Sequence, residues 1–257
     1  MGGEPRRGTR ERHERLLERV RDGVTHVEEL ARALGVSSST VRRDLARLVE
    51  TGALTRTYGG AVLDSPFRES ALADRLRVET AAKDAIGRRA AELVPEHGTI
   101  FLDAGSTTAR LAEHLRGRAG LTVLTRGPEI ALLLAGHEGP EVVLVGGTVA
   151  PTSHGLVGPL TTHALERFAL DAAFLGVDAV HPLDGVGEPT LAEAETKEVA
   201  AGRAGHVVVL ADATKLGRRG VPAWAPLPPG WTLVTNGTGE AVEPFVAAGV
   251  QVIGTAG

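Results

Sequence analysis

The 257-residue chain contains no cysteine, which removes disulfides, thiolate metal sites and cysteine nucleophiles together and permits a reducing compartment. The opening "MGGEPRRGTRERHERLLERV" has no apolar stretch of the signal-peptide kind, and no apolar run approaches the roughly 20 residues that span a bilayer. A cytoplasmic chain without a membrane partner is expected. Metal and hydrolytic chemistry also lack their patterns. The nine histidines show no H-E-x-x-H or paired ligand spacing, no G-x-S-x-G turn occurs, and "GVGEPT" is an incomplete dinucleotide fingerprint. No metal, cofactor or catalytic residue is therefore expected. Repeats and low-complexity tracts are absent, and "VPAWAPLPPGW" reads as a proline-rich loop.

With 42% hydrophobic and 23% charged residues, the chain has the composition of a globular α/β protein. Its length allows one large domain or a small domain plus a medium one. The net charge of −4 names no partner, but its distribution is uneven. Residues 1–63 carry twelve arginines against nine acids, a balance of +3, which leaves −7 on the rest. A basic segment on an acidic body confines any nucleic-acid contact to the first sixty or so residues.

Within that segment, Leu16, Leu17 and Val20 fall at helical spacing between Thr9 and about Asp22, and Gly23 ends the helix. "HVEELARAL" forms a second helix with Val27, Leu30, Ala31 and Leu34 on one face and Gly35 as its stop. A third begins at a cap on Ser37 or Ser38 and ends before Gly52. "ALTRTYGGAVL" then reads as a β-hairpin around Gly59-Gly60.

On the third helix Val41, Leu45 and Leu48 make the buried stripe, while Ser39, Arg43 and Arg47 face away with Thr40 and Arg42 on the flanks. Arginine can fork onto N7 and O6 of guanine, and the hydroxyls of Ser37, Ser38, Ser39 and Thr40 at the helix start can reach bases or phosphates. Arg56 and Tyr58 in the hairpin are placed to hold flanking backbone. The competing interpretation is a merely solvated face, with Asp44 and Glu50 as local ion-pair partners. Two short helices, a glycine-containing turn, a basic second helix and an adjacent wing together match a winged helix-turn-helix.

Residues 64–78 read as a partly helical linker. From Glu79 to residue 257 amphipathic helices alternate with seven apolar strands: "GTIFLDAG", "LTVLTRG", "EVVLVGG", "DAAFLGVDAV", "HVVVLADA", "WTLVTNG" and "GVQVIGTA". Such runs are strands covered on both faces, so the larger domain is expected to hold a mostly parallel, helix-flanked sheet.

Strand ends of an open α/β sheet are where ligands bind, and here they carry polar groups. After the first strand, "LDAGSTT" offers backbone N–H groups from Gly105 to Thr108 and the hydroxyls of Ser106, Thr107 and Thr108, an arrangement that fits a phosphate. Asp103 can accept from sugar hydroxyls or tie down its own loop. Thr125 and Arg126 end the second strand, and Gly146-Gly147 after the third either admit a ligand closely or only turn the chain. Glu193 and Lys197, one helical turn apart, form either a surface ion pair or part of the site. Asp212 and Lys215 share that ambiguity.

"VEELARALGVSSSTVRRDLARLVETGALTRTYGGAVL" resembles the DNA-binding domain of the DeoR family of bacterial transcriptional regulators, nearly without gaps. The resemblance continues through "LDAGSTT", "VVLVGG", "LVGP", "AFLGVDAV", "TLAEAETKEVA" and "VVLADATKLG" and so covers almost the whole chain. It implies a sensor domain similar to ribose-5-phosphate isomerase and the CoA transferases, a phosphorylated sugar as effector, double-stranded operator DNA as partner, and a repressor of a carbohydrate operon. Departures from the family pattern are Tyr58 for histidine, Arg126-Gly127 for an Asn-Ser pair, Thr214 and Leu216 for Ser and Phe, and Asn236 for Asp. Arg126 bears most directly on which ligand fits.

The alternative to a sensor is an isomerase-like enzyme with Glu193 as general base and Lys197 or Lys215 stabilising an enediolate. The attached DNA reader gives ligand binding a use without turnover. A homo-oligomer, dimer or tetramer, is expected, because two winged domains can read half-sites about 34–36 Å apart.

Overall fold

The computed structural model describes residues 7–21, 24, 26–50, 54–57, 60–63, 72–75, 78–136 and 138–255. Two compact units divide the chain, one drawn mainly from residues 1–68 and the other from 69–217 and 221–257. The division falls inside the segment 64–78.

In the N-terminal unit α1 (Arg7–Arg21), α2 (Val27–Leu34) and α3 (Ser38–Glu50) precede the strands β1 (Leu54–Thr57) and β2 (Gly60–Leu63). Leu16 and Val20 of α1, Val27, Leu30 and Leu34 of α2, and Val41, Leu45 and Leu48 of α3 make one core. The spacing of apolar residues every three or four positions is what lets three short helices share it. Gly35 ends α2 at φ +66°, a left-handed conformation costly for other residues, and its N–H returns to the carbonyls of Ala31 and Arg32. The side chain of Ser37 accepts from Thr40 N at 3.2 Å and caps α3. The strands pair antiparallel from Leu54↔Leu63 to Thr57↔Gly60, so Gly60 already belongs to the second strand.

The competing interpretation of α3 as a solvated face makes Asp44 a local ion-pair partner of its arginines, and the structure places Asp44 elsewhere. Asp44 is buried and accepts from Arg12 Nε at 2.6 Å and His13 Nε2 at 3.1 Å, both on α1. Burial would raise its pKa, but the bonds from Arg12 and His13 outweigh it and hold the carboxyl below its usual range.

The C-terminal unit begins with α4 (Leu72–Arg75) and α5 (Thr80–Ala91), then runs β3 (Gly98–Leu102), α6 (Ser106–Leu115), β4 (Leu121–Thr125), α7 (Pro128–Leu134) and β5 (Glu141–Leu144). A short hairpin, β6 (Thr148–Val149) and β7 (Leu156–Val157), leads to α8 (Pro159–Leu165) and β8 (Leu170–Gly176). The chain continues through β9 (Ala179–His181), β10 (Gly185–Glu188), α9 (Leu191–Gly202), β11 (Ala204–Leu210), β12 (Ala223–Ala225), β13 (Thr232–Thr235), α10 (Glu243–Ala247) and β14 (Gln251–Gly254).

Seven of these strands, the seven apolar runs of the sequence, form one parallel sheet in the order β14-β13-β11-β8-β3-β4-β5. Alternate residues face opposite sides, and each side has its own core. Ile100, Leu102, Val123 and Phe174 pack with Ile86, Leu111, Leu115 and Ile130 of α5, α6 and α7. Phe101, Leu124, Ala173 and Leu175 pack instead with Leu165 of α8, Ala194 and Ala200 of α9, and Phe245 of α10. From β3 the order runs outward both ways, to β4 and β5 on one side and to β8 and β11 on the other. That reversal places a crevice at the ends of β3 and β8.

Two details differ from the sequence reading. "DAAFLGVDAV" is broken into β8 and β9, and "VPAWAPLPPGW" is more than a loop, because β12 lies in it. Together β9, β10 and β12 make a separate antiparallel sheet, with Gly187 opposite Trp224. Strands of three or four residues are too short to display a period, and "GVGEPT" and "VPAW" carry turn residues that mask them.

Both α5 and α6 lie on the same face, in contact at Gly87. A Cβ there would lie 2.7 Å from the Arg110 carbonyl carbon, so only glycine permits the approach. Gly87→Ala is accordingly expected to cost about 1–3 kcal/mol by overpacking. Calorimetry should show a lower unfolding midpoint for the C-terminal unit, and an unchanged midpoint would contradict this packing.

Candidate functional site

On α3 the residues proposed to touch DNA lie on the face opposite the core. Ser37, Ser39, Arg42, Arg43 and Arg47 are exposed, and Ser38 and Thr40 half-buried. Ser37 Oγ lies 2.9 Å from Ser39 Oγ and 2.8 Å from Thr40 Oγ1, so three hydroxyls cluster at the helix start. Arg42 lies 3.7 Å from Glu28 on α2, a loose exposed pair. The side chain of Arg56 and the whole of Tyr58 lie outside the described residues.

At the other candidate site, β3 runs through Asp103 into α6. Gly105 takes φ +145° immediately before the helix, no side chain caps the helix start, and its first listening carbonyl, Gly105 O, accepts from Ala109 N at 3.0 Å. The N–H groups of the first turn are therefore left for another acceptor. Ser106, Thr107 and Thr108 are buried, and Thr108 Oγ1 donates back to Gly105 O at 3.0 Å. Against α6 packs α5, with Gly87 against Arg110 and Asp84 paired to Arg110 at 3.0 Å.

A network of buried charge fills the opposite face of the same strand ends. Asp103, fully buried, accepts from Arg126 Nε at 2.5 Å and from Ala104 N at 2.8 Å, and its second oxygen lies 3.1 Å from Lys197 Nζ. Lys197 also donates to Glu188 Oε1 at 2.5 Å and to the carbonyl of Gly176 at the end of β8. Burial would lower the Lys197 pKa, but Asp103 and Glu188 outweigh it and raise it. For Asp103 burial is likewise outweighed, by Arg126 and Lys197, and the carboxyl stays below its usual range. Glu188 goes the other way. Burial pushes it up to about 8 against the pull of Lys197, with Asp178 and Asp103 adding to the rise.

Glu193 and Lys197 are both buried and are not a surface pair. Glu193 accepts from Ser153 Oγ at 2.6 Å and from Thr190 Oγ1 at 2.9 Å, while Lys197 looks toward Asp103. Arg126 Nη1 is buried without a hydrogen-bond partner. An unpaired buried donor costs about 1–3 kcal/mol, more when charged.

Along the same edge Asp212 caps a one-turn 3-10 helix, Ala213–Lys215, accepting from Thr214 N at 3.0 Å, and Lys215 Nζ lies 3.2 Å from Asp178 Oδ1. Thr125 is turned inward, its hydroxyl accepting from Gly127 N at 3.0 Å. Gly146 O accepts from Thr161 Oγ1 at 2.7 Å. At Gly147 a Cβ would lie 2.2 Å from that same hydroxyl oxygen, so the glycine admits a protein side chain.

The sequence reading passed over Lys83, Arg75, Asp178, Glu188 and Ser153. Buried Lys83 donates to the carbonyls of Arg75 at 2.6 Å and Val78 at 2.7 Å, and burial lowers its pKa. It did leave a signal, since it stands in the stripe Lys83, Ile86, Gly87, Ala90 at helical spacing. Arg75 Nη1 lies 3.8 Å from Asp178 Oδ2. Among the described residues no cluster of three or more His, Cys, Asp or Glu is placed to hold a metal, and no helix is long and apolar enough to cross a membrane.

The DeoR C-terminal sensor domain family matches residues 78–237, and the DeoR-like helix-turn-helix domain family matches residues 12–67. The HTH-type transcriptional regulator GlpR of Haloferax volcanii is 36% identical over 247 residues, covering 95% of this chain and 96% of that one. The glycerol-3-phosphate regulon repressor of Escherichia coli K12 is 31% identical over 209 residues, 81% of this chain and 83% of that one. Among solved structures, ribose 5-phosphate isomerase A from Methanocaldococcus jannaschii is 21% identical and covers 52% of each chain. Its TM-score of 0.38 is too low to argue from.

The raised Glu188 pKa has a consequence for stability. Between the ordinary glutamate range and about 8, the folded chain keeps a proton that the unfolded chain has released. Stability therefore falls as pH rises through that interval and levels off above it. Glu188→Gln should flatten the dependence of the unfolding midpoint on pH between about 5 and 8, and a slope equal to the parent's would contradict the buried placement of this carboxyl.

Proposed function

We propose that this chain, which belongs to the DeoR family of transcriptional regulators, represses a carbohydrate operon and leaves its operator when a phosphorylated sugar binds the C-terminal unit. The chain is a regulator and not an enzyme. The observation that carries the sensing half is the uncapped start of α6 at the sheet's switch point. Backbone N–H groups and a helix dipole are groups that hold a phosphate. Arg75 and Lys215 add positive charge along the same edge.

The reading half rests on α3, whose outward arginines and hydroxyls enter the major groove while its hydroxyl-rich start meets a backbone phosphate. A homo-oligomer, dimer or tetramer, sets two such helices on successive half-sites. The protein acts on operator DNA in the cytoplasm. Transmission runs through α4. Leu72 N donates to Thr152 O at 3.0 Å on the β6–β7 hairpin, and Arg75 reaches Asp178 and, through its carbonyl, Lys83. A ligand that moves the hairpin or Lys83 moves the segment leading back to the N-terminal unit. Binding one arrangement about 100-fold better supplies roughly 2.7 kcal/mol for that shift.

The test is operator release, measured at fixed salt because phosphate contacts make affinity steeply salt-dependent, across a panel of phosphorylated sugars and their unphosphorylated counterparts. At least one phosphosugar should release the operator where its counterpart does not; no sequence-specific binding, or no response to any phosphosugar, contradicts the reading. Two variants divide the labour. Arg43→Ala should weaken operator binding by about 1–3 kcal/mol with ligand affinity unchanged. Ser106→Asp, tolerated by a helix start but placing a carboxylate in the cradle, should abolish the ligand response and leave operator binding intact.

A further inference from the structure

The β6–β7 hairpin seals the buried charge network with its tip. Ser153 Oγ donates to Glu193, and Gly155 N lies 3.3 Å from the same Oγ. The Gly155 backbone presses on the orphaned guanidinium: a Cβ there would lie 2.2 Å from Arg126 Nη1. Outside, His154 holds φ +58° and its Nδ1 lies 2.5 Å from Glu129 Oε1. The tip thus stands between one charged donor lacking an acceptor and one carboxylate satisfied only by hydroxyls.

The two cations beneath it are outnumbered by three carboxylates. Arg126 and Lys197 face Asp103, Glu188 and Glu193, so the network holds no surplus cation. Arg126 spends its Nε on Asp103, and no second anion can be neutralised here. Directly beneath the tip the Arg126 Nη1 N–H is unmet and wants an uncharged acceptor, next to a carboxylate that takes hydroxyl donors.

We propose that Arg126 Nη1 and Glu193, uncovered when the Ser153–Gly155 tip is displaced, read the end of the ligand away from its phosphate, and that they select an uncharged carbonyl or hydroxyl end over a carboxylate or a second phosphate. The ligand class is a neutral sugar monophosphate; sugar-acid phosphates and bisphosphates are rejected. This rests on the sensing role proposed above and assigns Arg126 to specificity, apart from the phosphate cradle at α6.

The experiment is calorimetric titration of the full-length protein at fixed salt with matched probes of three to six carbons. Each set pairs an alditol or ketose phosphate with the aldonate phosphate of equal length, for example glucitol 6-phosphate and fructose 6-phosphate against 6-phosphogluconate, with fructose 1,6-bisphosphate added. The wild type should bind the neutral member of the best-bound set at least tenfold more tightly than its acid. Glu193→Gln should shrink that ratio by relieving repulsion of the acid. Arg126→Met should weaken the neutral ligand by a larger factor than it weakens inorganic phosphate. Equal or tighter binding of the acid by the wild type in the best-bound set overturns the proposal while leaving sugar-phosphate sensing in place. A protein that binds none of the probes and releases operator for no phosphosugar overturns both. The wild-type ratio needs no variant, so a misfolded substitution does not remove the test.

Discussion

One buried carboxylate organises the C-terminal unit. Asp103 sits just past the end of β3 with no exposure, and it survives there because Arg126, just past β4, and Lys197 of α9 both meet it. Lys197 then ties in Glu188 of β10 and the end of β8. An intact buried pair adds little net stability, whereas loss of one member costs about 3–5 kcal/mol. The network is thus a constraint on where β3, β4, β8 and α9 end. Those endings fix the crevice, the start of α6 and the seat of the hairpin tip.

The two halves of the molecule use opposite chemistry. The N-terminal unit buries Asp44 against α1 and leaves the arginines of α3 in water, as a surface that meets a polyanion must. The C-terminal unit buries acids and bases together and leaves backbone N–H groups uncapped at a helix start. On our proposal, α4 is the mechanical tie, since Leu72 and Arg75 engage the hairpin, Asp178 and Lys83 within a few residues of the reader.

Much of this was legible in the sequence, for physical reasons that also mark its limit. Apolar runs of four to seven residues announced all seven strands of the main sheet, and helical spacing announced the three helices of the reader. Burial of charge was not legible. Glu193 and Lys197 stand four apart in a helix whose buried positions are otherwise mostly alanine and threonine, so no bulky stripe shows which face is inward. Spacing alone makes them a surface pair, and only the approach of Asp103, Glu188 and Ser153 from distant segments decides otherwise. Glu188 sits in a strand too short to have a period. Arg126 was singled out as a cation at a strand end, but its pairing with Asp103, and the glycine at 155 that lets it lie there, depend on the fold.

The central claim is that an anionic metabolite at the strand ends of the C-terminal unit governs the reader. Hydrogen exchange of the full-length protein, with and without a phosphosugar that releases the operator, tests it most directly. The account predicts slower exchange at residues 104–109 and altered exchange at 150–155 and 72–75. Changes confined to the N-terminal unit, with none at those three segments, would contradict it.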